Sequence, residues 1–284
     1  MKRKLFHYLF RLTTGLCSLA AGAVLLFAIE AIVQRGWPAV DWSFFTGRMA
    51  EAGASGGIFY HILGTGILLV TAAAVSTPMA LGLGLMHEVY LRRSRFRRSL
   101  MLGLYVMNGV PSILFGLFGM ILFVQGLGWG KSWLSGGFLL GLMILPTVTV
   151  TLIERLAAIP RGQVEAATAL GLRSSQIIRS VLLPQSLGGL VTGSLLGLAR
   201  AAGETAPLMF TATVFAGATL PDGIRDNPVL SLPYHIFILA QDSYDPATVP
   251  RLWGTALTLL MVVFTLSLIA LPARLRLQSS AHHD

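Results

Sequence analysis

Apolar residues in this chain come in long runs, not in the alternation of a half-buried strand or the single stripe of a surface helix. Six runs approach the roughly 20 residues that a helix needs to cross a bilayer, over residues 12–33, 62–86, 100–124, 137–153, 187–210 and 253–271. The pattern predicts an all-α polytopic membrane protein with six transmembrane helices. Only two connections exceed a simple turn, residues 154–185 and 212–252. The second is rich in Pro, Asp, Asn and Gly, which predicts turns, with "VLSLPYHIFILA" as a short helix lying at the interface. The first run and the loop through Gly57 read as an addition, residues 1–57, in front of a five-span unit, residues 58–272, with a tail over 273–284.

Composition agrees with this reading: 54% of the 284 residues are hydrophobic and 12% charged. An excess of 21 Lys and Arg over 12 Asp and Glu raises nucleic acid as a partner, but the distribution argues otherwise. Lys2, Arg3, Lys4 and Arg11 precede the first span, and Arg92, Arg93, Arg95, Arg97 and Arg98 lie between the second and third. Arg155, Arg161, Arg173 and Arg179 follow the fourth, and Arg274 and Arg276 the sixth. The opposite side carries Arg35, Arg48, Lys131, Arg225 and Arg251, diluted by Asp41, Glu51, Asp222, Asp226, Asp242 and Asp245. By the positive-inside rule both termini face the cytoplasm, and the basic charge meets lipid headgroups, not nucleic acid. The first run exceeds a signal-peptide core and lacks a clean cleavage site, so a signal anchor is expected. "TTGLC" lacks the small residue a lipoprotein needs before Cys17, and a single cysteine excludes an internal disulfide.

"QGLGWGKSW" ends like a phosphate-cradling loop at Gly130-Lys131-Ser132, but the position of the first glycine holds Gln125 and no strand precedes it. ATP hydrolysis by this chain is therefore not expected. His61, His87 and His235 are isolated in the sequence, and the His282-His283-Asp284 tail is expected to be disordered, not metal-binding. No metalloprotease helix, nucleophile elbow or carboxylate pair supports hydrolytic chemistry. Pro78, Pro111, Pro146 and Pro207 fall in or at the ends of spans, where kinks are expected.

The loop over 154–185 contains "EAATALGLRSSQIIRSVLLPQ". Arg161 to Leu170 has good helix formers and ends before a glycine suited to a C-terminal cap; it is too short and polar to enter the membrane. By itself this predicts a connecting amphipathic helix. Glu165, Ala166, Ala167, Gly171, Leu183 and Pro184, with Val181 where isoleucine is usual, resemble the signature loop of permease subunits of binding-protein-dependent ABC importers. The resemblance implies a type I importer permease fold and a coupling helix over 163–172 that docks on a dimeric ATP-binding subunit. It implies that ATP and Mg are used by that subunit, not by this chain, and that the other partners are a second homologous permease chain and an extracytoplasmic binding protein. "NGVPSILFGLFG" at 108–119 and "GETAP" at 203–207 are similar to the phosphate-specific permeases, the latter to their PstA-type subunit. "LPTVTVTLIERLAAIP" keeps the family's frame but carries Val148, Val150 and Leu152 where polar or basic residues are usual, and "HEVYLRRSRFRR" has one acidic residue, Glu88. The likeness covers residues 62–271.

Arg200 and Glu204 are charges inside the fifth span, costly in hydrocarbon and so turned toward protein or water. At about 100° per residue, Gly189, Gly193 and Gly197 form a narrow stripe, and a continuous helix brings Arg200 and Glu204 onto the same face. Two readings stand: a buried structural pair, or an arginine in an anion pathway steadied by Glu204, whose oxygen accepts a hydrogen bond from protonated phosphate. The expected function is a permease subunit of an ATP-driven phosphate importer. The alternatives are a permease for another oxyanion, sulfate or molybdate, and a polytopic membrane enzyme acting on phosphate-bearing lipids.

Overall fold

Pro111 and Pro207 decide the shape of the bundle, because each interrupts what the hydropathy pattern alone draws as one span. In the computed structural model, which describes residues 2–50, 53, 55–91, 94–217, 219–242, 246 and 248–279, twelve α-helices follow one another. Glu51, Arg92, Arg93, Asp245, His282, His283 and Asp284 lie outside the described residues. Helix α1 (Lys2–Gly36) leads through a short α2 (Trp42–Thr46) and a two-stranded antiparallel ribbon, β1 (Met49–Ala50) with β2 (Ser55–Gly56), to α3 (Phe59–Leu85).

The third expected span, 100–124, is not one straight helix. It divides into α4 (Phe96–Gly109) and α5 (Ser112–Gly119), the latter extended by a wider π-type turn over Met120–Gly126, and the two halves meet at 98°. Val110, which precedes Pro111, is extended with ψ 130°, as the proline ring requires of its neighbour. Among the described residues five helices are long and apolar enough to cross a membrane, or six if this bent pair is one span.

Helix α6 (Trp133–Ala157) is the axis of the fold and is buried along most of its apolar length, whereas the apolar stretch of α1 is buried along none of it. One side of α6 packs on α3 and the other on α9 (Leu183–Ala201). Close approach to α3 rests on Gly137 and Gly141 of α6: a Cβ at Gly137 would lie 2.5 Å from Thr71 Cβ, and one at Gly141 2.9 Å from Val75 Cβ. Two short helices, α7 (Arg161–Ala169) and α8 (Ser174–Ile177), cap this end of the bundle, and a π-type turn over Ile178–Leu182 joins α8 to α9. Leu68, Ala72, Ile144, Val148 and Leu152 form the buried centre, which reaches Ala167 and Ile177 beneath the cap.

The fifth expected span, 187–210, is also broken. Helix α9 stops at Ala201, and α10 (Ala206–Thr211) resumes after a turn. A helix running on would need an N–H at position 207 for the carbonyl of Gly203, and proline has none. At the far end α11 (Leu232–Gln241), the expected short helix, packs on α12 (Thr248–Ser279) and α3.

Candidate functional site

The cap helix α7 forms where the sequence places it, and Gly171 ends it in the left-handed conformation, φ +79°. Its backbone closes on Ala166, Ala167 and Thr168 through the N–H groups of Leu170, Leu172 and Gly171. Glu165, Ala166 and Gly171 are exposed, and Leu170 projects an apolar tip 81% exposed. Ala167 faces the other way and is buried against the membrane helices, so the motif divides into an outward face and an anchoring one. The Gln185 side chain donates to Gln163 Oε1 at 2.8 Å and the Arg155 guanidinium to the Gln185 carbonyl at 3.2 Å, which ties α7 to the ends of α6 and α9. Behind α7 lies a cavity of about 280 Å³, lined among others by Glu88, Arg97, Leu156, Arg161 and Val164.

The glycine stripe packs against α6. Gly189 rests on the Arg155 stem, Gly193 on Val148 and Thr151, and Gly197 on Ile144 and Val148. Glu204 does not continue that face, and Arg200, still within α9, does not share its burial. Arg200 occupies the last turn of α9 with its side chain 41% exposed, and Glu204 lies beyond the helix end, 17% exposed. A continuous helix through 210 would carry Glu204 onto the stripe, and the stop at Ala201 removes that periodicity for Glu204. The two charges still meet, Arg200 Nε lying 3.8 Å from Glu204 Oε1, an ion pair too long for a hydrogen bond.

The firmer partner of Arg200 comes from elsewhere in the chain. Its Nη1 donates to Asn108 Oδ1 at 2.7 Å, and Asn108 sits one residue before the end of α4. The breaks meet because α5 packs on α10: a Cβ on Gly116 would lie 3.0 Å from both the Ala206 carbonyl oxygen and Pro207 Cα. Gly197 lies level with Ile144, near the middle of α6, and Arg200 is three residues on, about 4.5 Å at helical rise. Asn108, Arg200 and Glu204 thus form a polar cluster near mid-height of the bundle, on a face this chain leaves open. No pattern around Asn108 announced this contact, because the two residues are 92 apart.

The histidines are not isolated. His61 and His235 are buried with ring centroids 4.0 Å apart, joining α3 to α11, and His61 Nδ1, His61 Nε2 and His235 Nδ1 have no hydrogen-bond partner among the described residues. Burial pushes the His235 imidazole down to about 4. Beside them Thr65 Oγ1 donates to the His61 carbonyl at 2.7 Å and accepts from Leu232 N–H at 3.0 Å. His87 accepts from Arg97 Nε at 3.2 Å and shares its other nitrogen with Glu88 at 2.9 Å, while Arg97 also reaches Glu88 at 2.7 Å. The chain separation of His61 from His235, and of His87 from Arg97, hid these contacts. Gly130-Lys131-Ser132 has no phosphate-cradling geometry: Ser132 caps α6 by accepting from Ser135 N–H, and Lys131 donates to the Met209 carbonyl. Among the described residues no three His, Cys, Asp or Glu side chains gather in a way that would hold a metal ion.

A bundle of apolar helices with paired broken spans, a polar cluster at the breaks and an exposed cap helix defines a multi-pass transport permease. Residues 76–276 match the model of the binding-protein-dependent transport system inner membrane component family, and the chain belongs to that family. It is 32% identical over 253 residues to the phosphate transport system permease protein PstA 2 of Mycobacterium bovis, covering 86% of this chain and 79% of that one. It is 32% identical over 265 residues to the probable phosphate transport system permease protein PstA of Methanocaldococcus jannaschii, covering 92% and 90%. A probable ABC transporter permease protein of Bacillus subtilis, YqgI, is 28% identical over 221 residues, 78% of this chain and 74% of that one. The inward-facing MetNI methionine ABC transporter shares the fold, with TM-score 0.56 and 19% identity over 80% of this chain and 98% of that chain. The architecture is that of a type I ABC importer permease, and the family is one of transport subunits, not enzymes.

Proposed function

We propose that this chain is a permease subunit of an ATP-driven phosphate importer, forming half of the translocation pathway with a second, homologous permease chain. The observation that carries the reading is an arginine, Arg200, at mid-height on the open face of a chain about one third identical to phosphate permeases. A guanidinium stays charged and offers a planar fork of donors to the oxygens of a tetrahedral anion. Glu204 steadies it, and its free oxygen accepts a hydrogen bond from a protonated phosphate, which sulfate cannot supply near neutral pH.

Coupling runs through α7. Its exposed Glu165, Ala166 and Leu170 are the surface offered to a dimeric ATP-binding subunit, which uses ATP and Mg, while buried Ala167 passes the motion to the membrane helices. An extracytoplasmic binding protein delivers phosphate at the opposite end, both termini face the cytoplasm, and access alternates as the ATPases close. Residues 1–57 are an anchor in front of the permease domain proper, and the α6–α9 glycine contact holds that domain together.

The test is phosphate uptake by reconstituted complexes with sulfate as competitor, on wild type, Arg200→Gln and Glu204→Gln, with abundance checked separately. The expected result is phosphate uptake that Arg200→Gln abolishes, and weaker discrimination against sulfate in Glu204→Gln. Normal uptake by Arg200→Gln would overturn the reading, as would a wild-type preference for sulfate.

A further inference from the structure

We infer that Asn108 is a specificity-determining residue of the anion pathway, acting both through Arg200 and through its own amide donors; the inference rests on the phosphate reading above. Asn108 is an exposed residue at the end of α4, and its carbonyl oxygen takes the Arg200 Nη1 donor at 2.7 Å. The contact clasps the two broken spans at the point where each stops.

The chemistry of the amide sets what the cluster offers. A guanidinium on an open face would swing among rotamers unless something held it, and the two holders here differ in kind. Glu204 is a carboxylate on the Nε side, 3.8 Å away, and Asn108 is a neutral acceptor on the Nη1 side. With Glu204 ionised, Arg200 and Glu204 sum to zero charge. A second carboxylate at position 108 would make the cluster net negative and repel any oxyanion. The neutral amide orients the fork without adding a negative charge, and with Oδ1 committed to Arg200 its Nδ2 presents two N–H donors to the same open face. Asn108 Nδ2 and the remaining guanidinium N–H groups then address separate oxygens of one tetrahedral anion, with Glu204 as the single acceptor.

The experiment uses the full transporter complex, comparing Asn108→Asp and Asn108→Ala with wild type for phosphate and sulfate uptake, recovery of the assembled complex, and basal ATPase rate. Asn108→Asp is isosteric and keeps an acceptor for Arg200, so a purely structural clasp would survive it. The expected result is loss of phosphate uptake by roughly tenfold or more, as when a substrate-facing donor becomes an unmatched acceptor. Asn108→Ala is expected to raise KM for phosphate by about fivefold, the worth of one net hydrogen bond, with kcat nearly held. Wild-type uptake by Asn108→Asp, or an unchanged KM in Asn108→Ala, overturns the inference, and the alanine variant decides it if the aspartate variant does not assemble. If the wild type moves sulfate in place of phosphate, the substrate reading fails instead, and the same variants measured with sulfate still test Asn108.

Discussion

Gly193 of α9 lies directly on the backbone of α6 at Val148: a Cβ built on it would sit 3.2 Å from the Val148 carbonyl oxygen and 3.3 Å from Val148 Cα. Backbone in the most buried helix of the bundle cannot step aside. Gly193→Val is therefore expected to destabilise the membrane domain by about 1–3 kcal/mol, the usual penalty of overpacking. The control is Gly82→Ala, where nothing lies within 4 Å, which should leave stability unchanged or slightly raised. Thermal unfolding of both variants in detergent checks the pair.

Gly171 tests the cap helix without touching the core. Its φ of +79° is strained for any side chain, although nothing within 4 Å would obstruct a Cβ. Gly171→Val should cost about 1–2 kcal/mol locally and loosen the end of α7. The expected outcome is reduced co-purification of the ATP-binding subunit with an unchanged unfolding midpoint for the membrane domain. Glu165→Lys, on the exposed face, should have the same signature.

Arg200→Lys separates charge from geometry. Lysine keeps the positive charge but loses the fork that reaches Asn108 on one side and Glu204 on the other. Phosphate uptake is expected to fall by roughly tenfold in kcat/KM, the worth of one charge-assisted bond, with less effect on abundance. Uptake kinetics in proteoliposomes, normalised to complex recovered, measure it.

His235 makes the contact between α11 and α3 sensitive to acid. Its folded value, about 4, lies below the ordinary 6.5 because burial disfavours the charged ring. As pH falls through 6.5 the imidazole of an opened chain takes a proton that the packed one refuses, so the stability His235 contributes to this contact is lost progressively between pH 6.5 and about 4. Hydrogen exchange in α11 should accelerate over that interval, and His235→Phe should reduce the dependence while the ring contact with His61 is kept.

Ser132 and Lys131 distinguish a helix cap from a nucleotide site. Ser132→Ala removes the acceptor for Ser135 N–H and should cost about 1 kcal/mol. Lys131→Ala breaks a bond to the Met209 carbonyl and should leave the ATPase rate of the complex unchanged. Thermal unfolding and phosphate release measure the two effects.

The membrane class, the position of α7 with its terminal glycine, and the glycine face of α9 were all legible in the residues, because each depends on local composition or on a period within one helix. Hydropathy needs only a window, a left-handed cap needs a glycine in one place, and a stripe of small residues needs only helical spacing. Two of the six spans are broken where hydropathy shows no break, since apolar character continues through Pro111 and Pro207 while helical hydrogen bonding does not. Because α9 ends at Ala201, helical spacing does not carry through to Glu204.

What tertiary structure alone decided is which distant residues meet. Asn108 reaches Arg200, His61 packs on His235, and His87 bonds to Arg97 only because broken or neighbouring helices are packed side by side. A hydrogen bond 2.7 Å long between residues 92 apart depends on the crossing of two helix ends, and no spacing along the chain encodes that. The sequence by itself determined that this protein crosses the membrane and carries an arginine in its fifth span; the packing of α5 on α10 decided which groups stand beside that arginine.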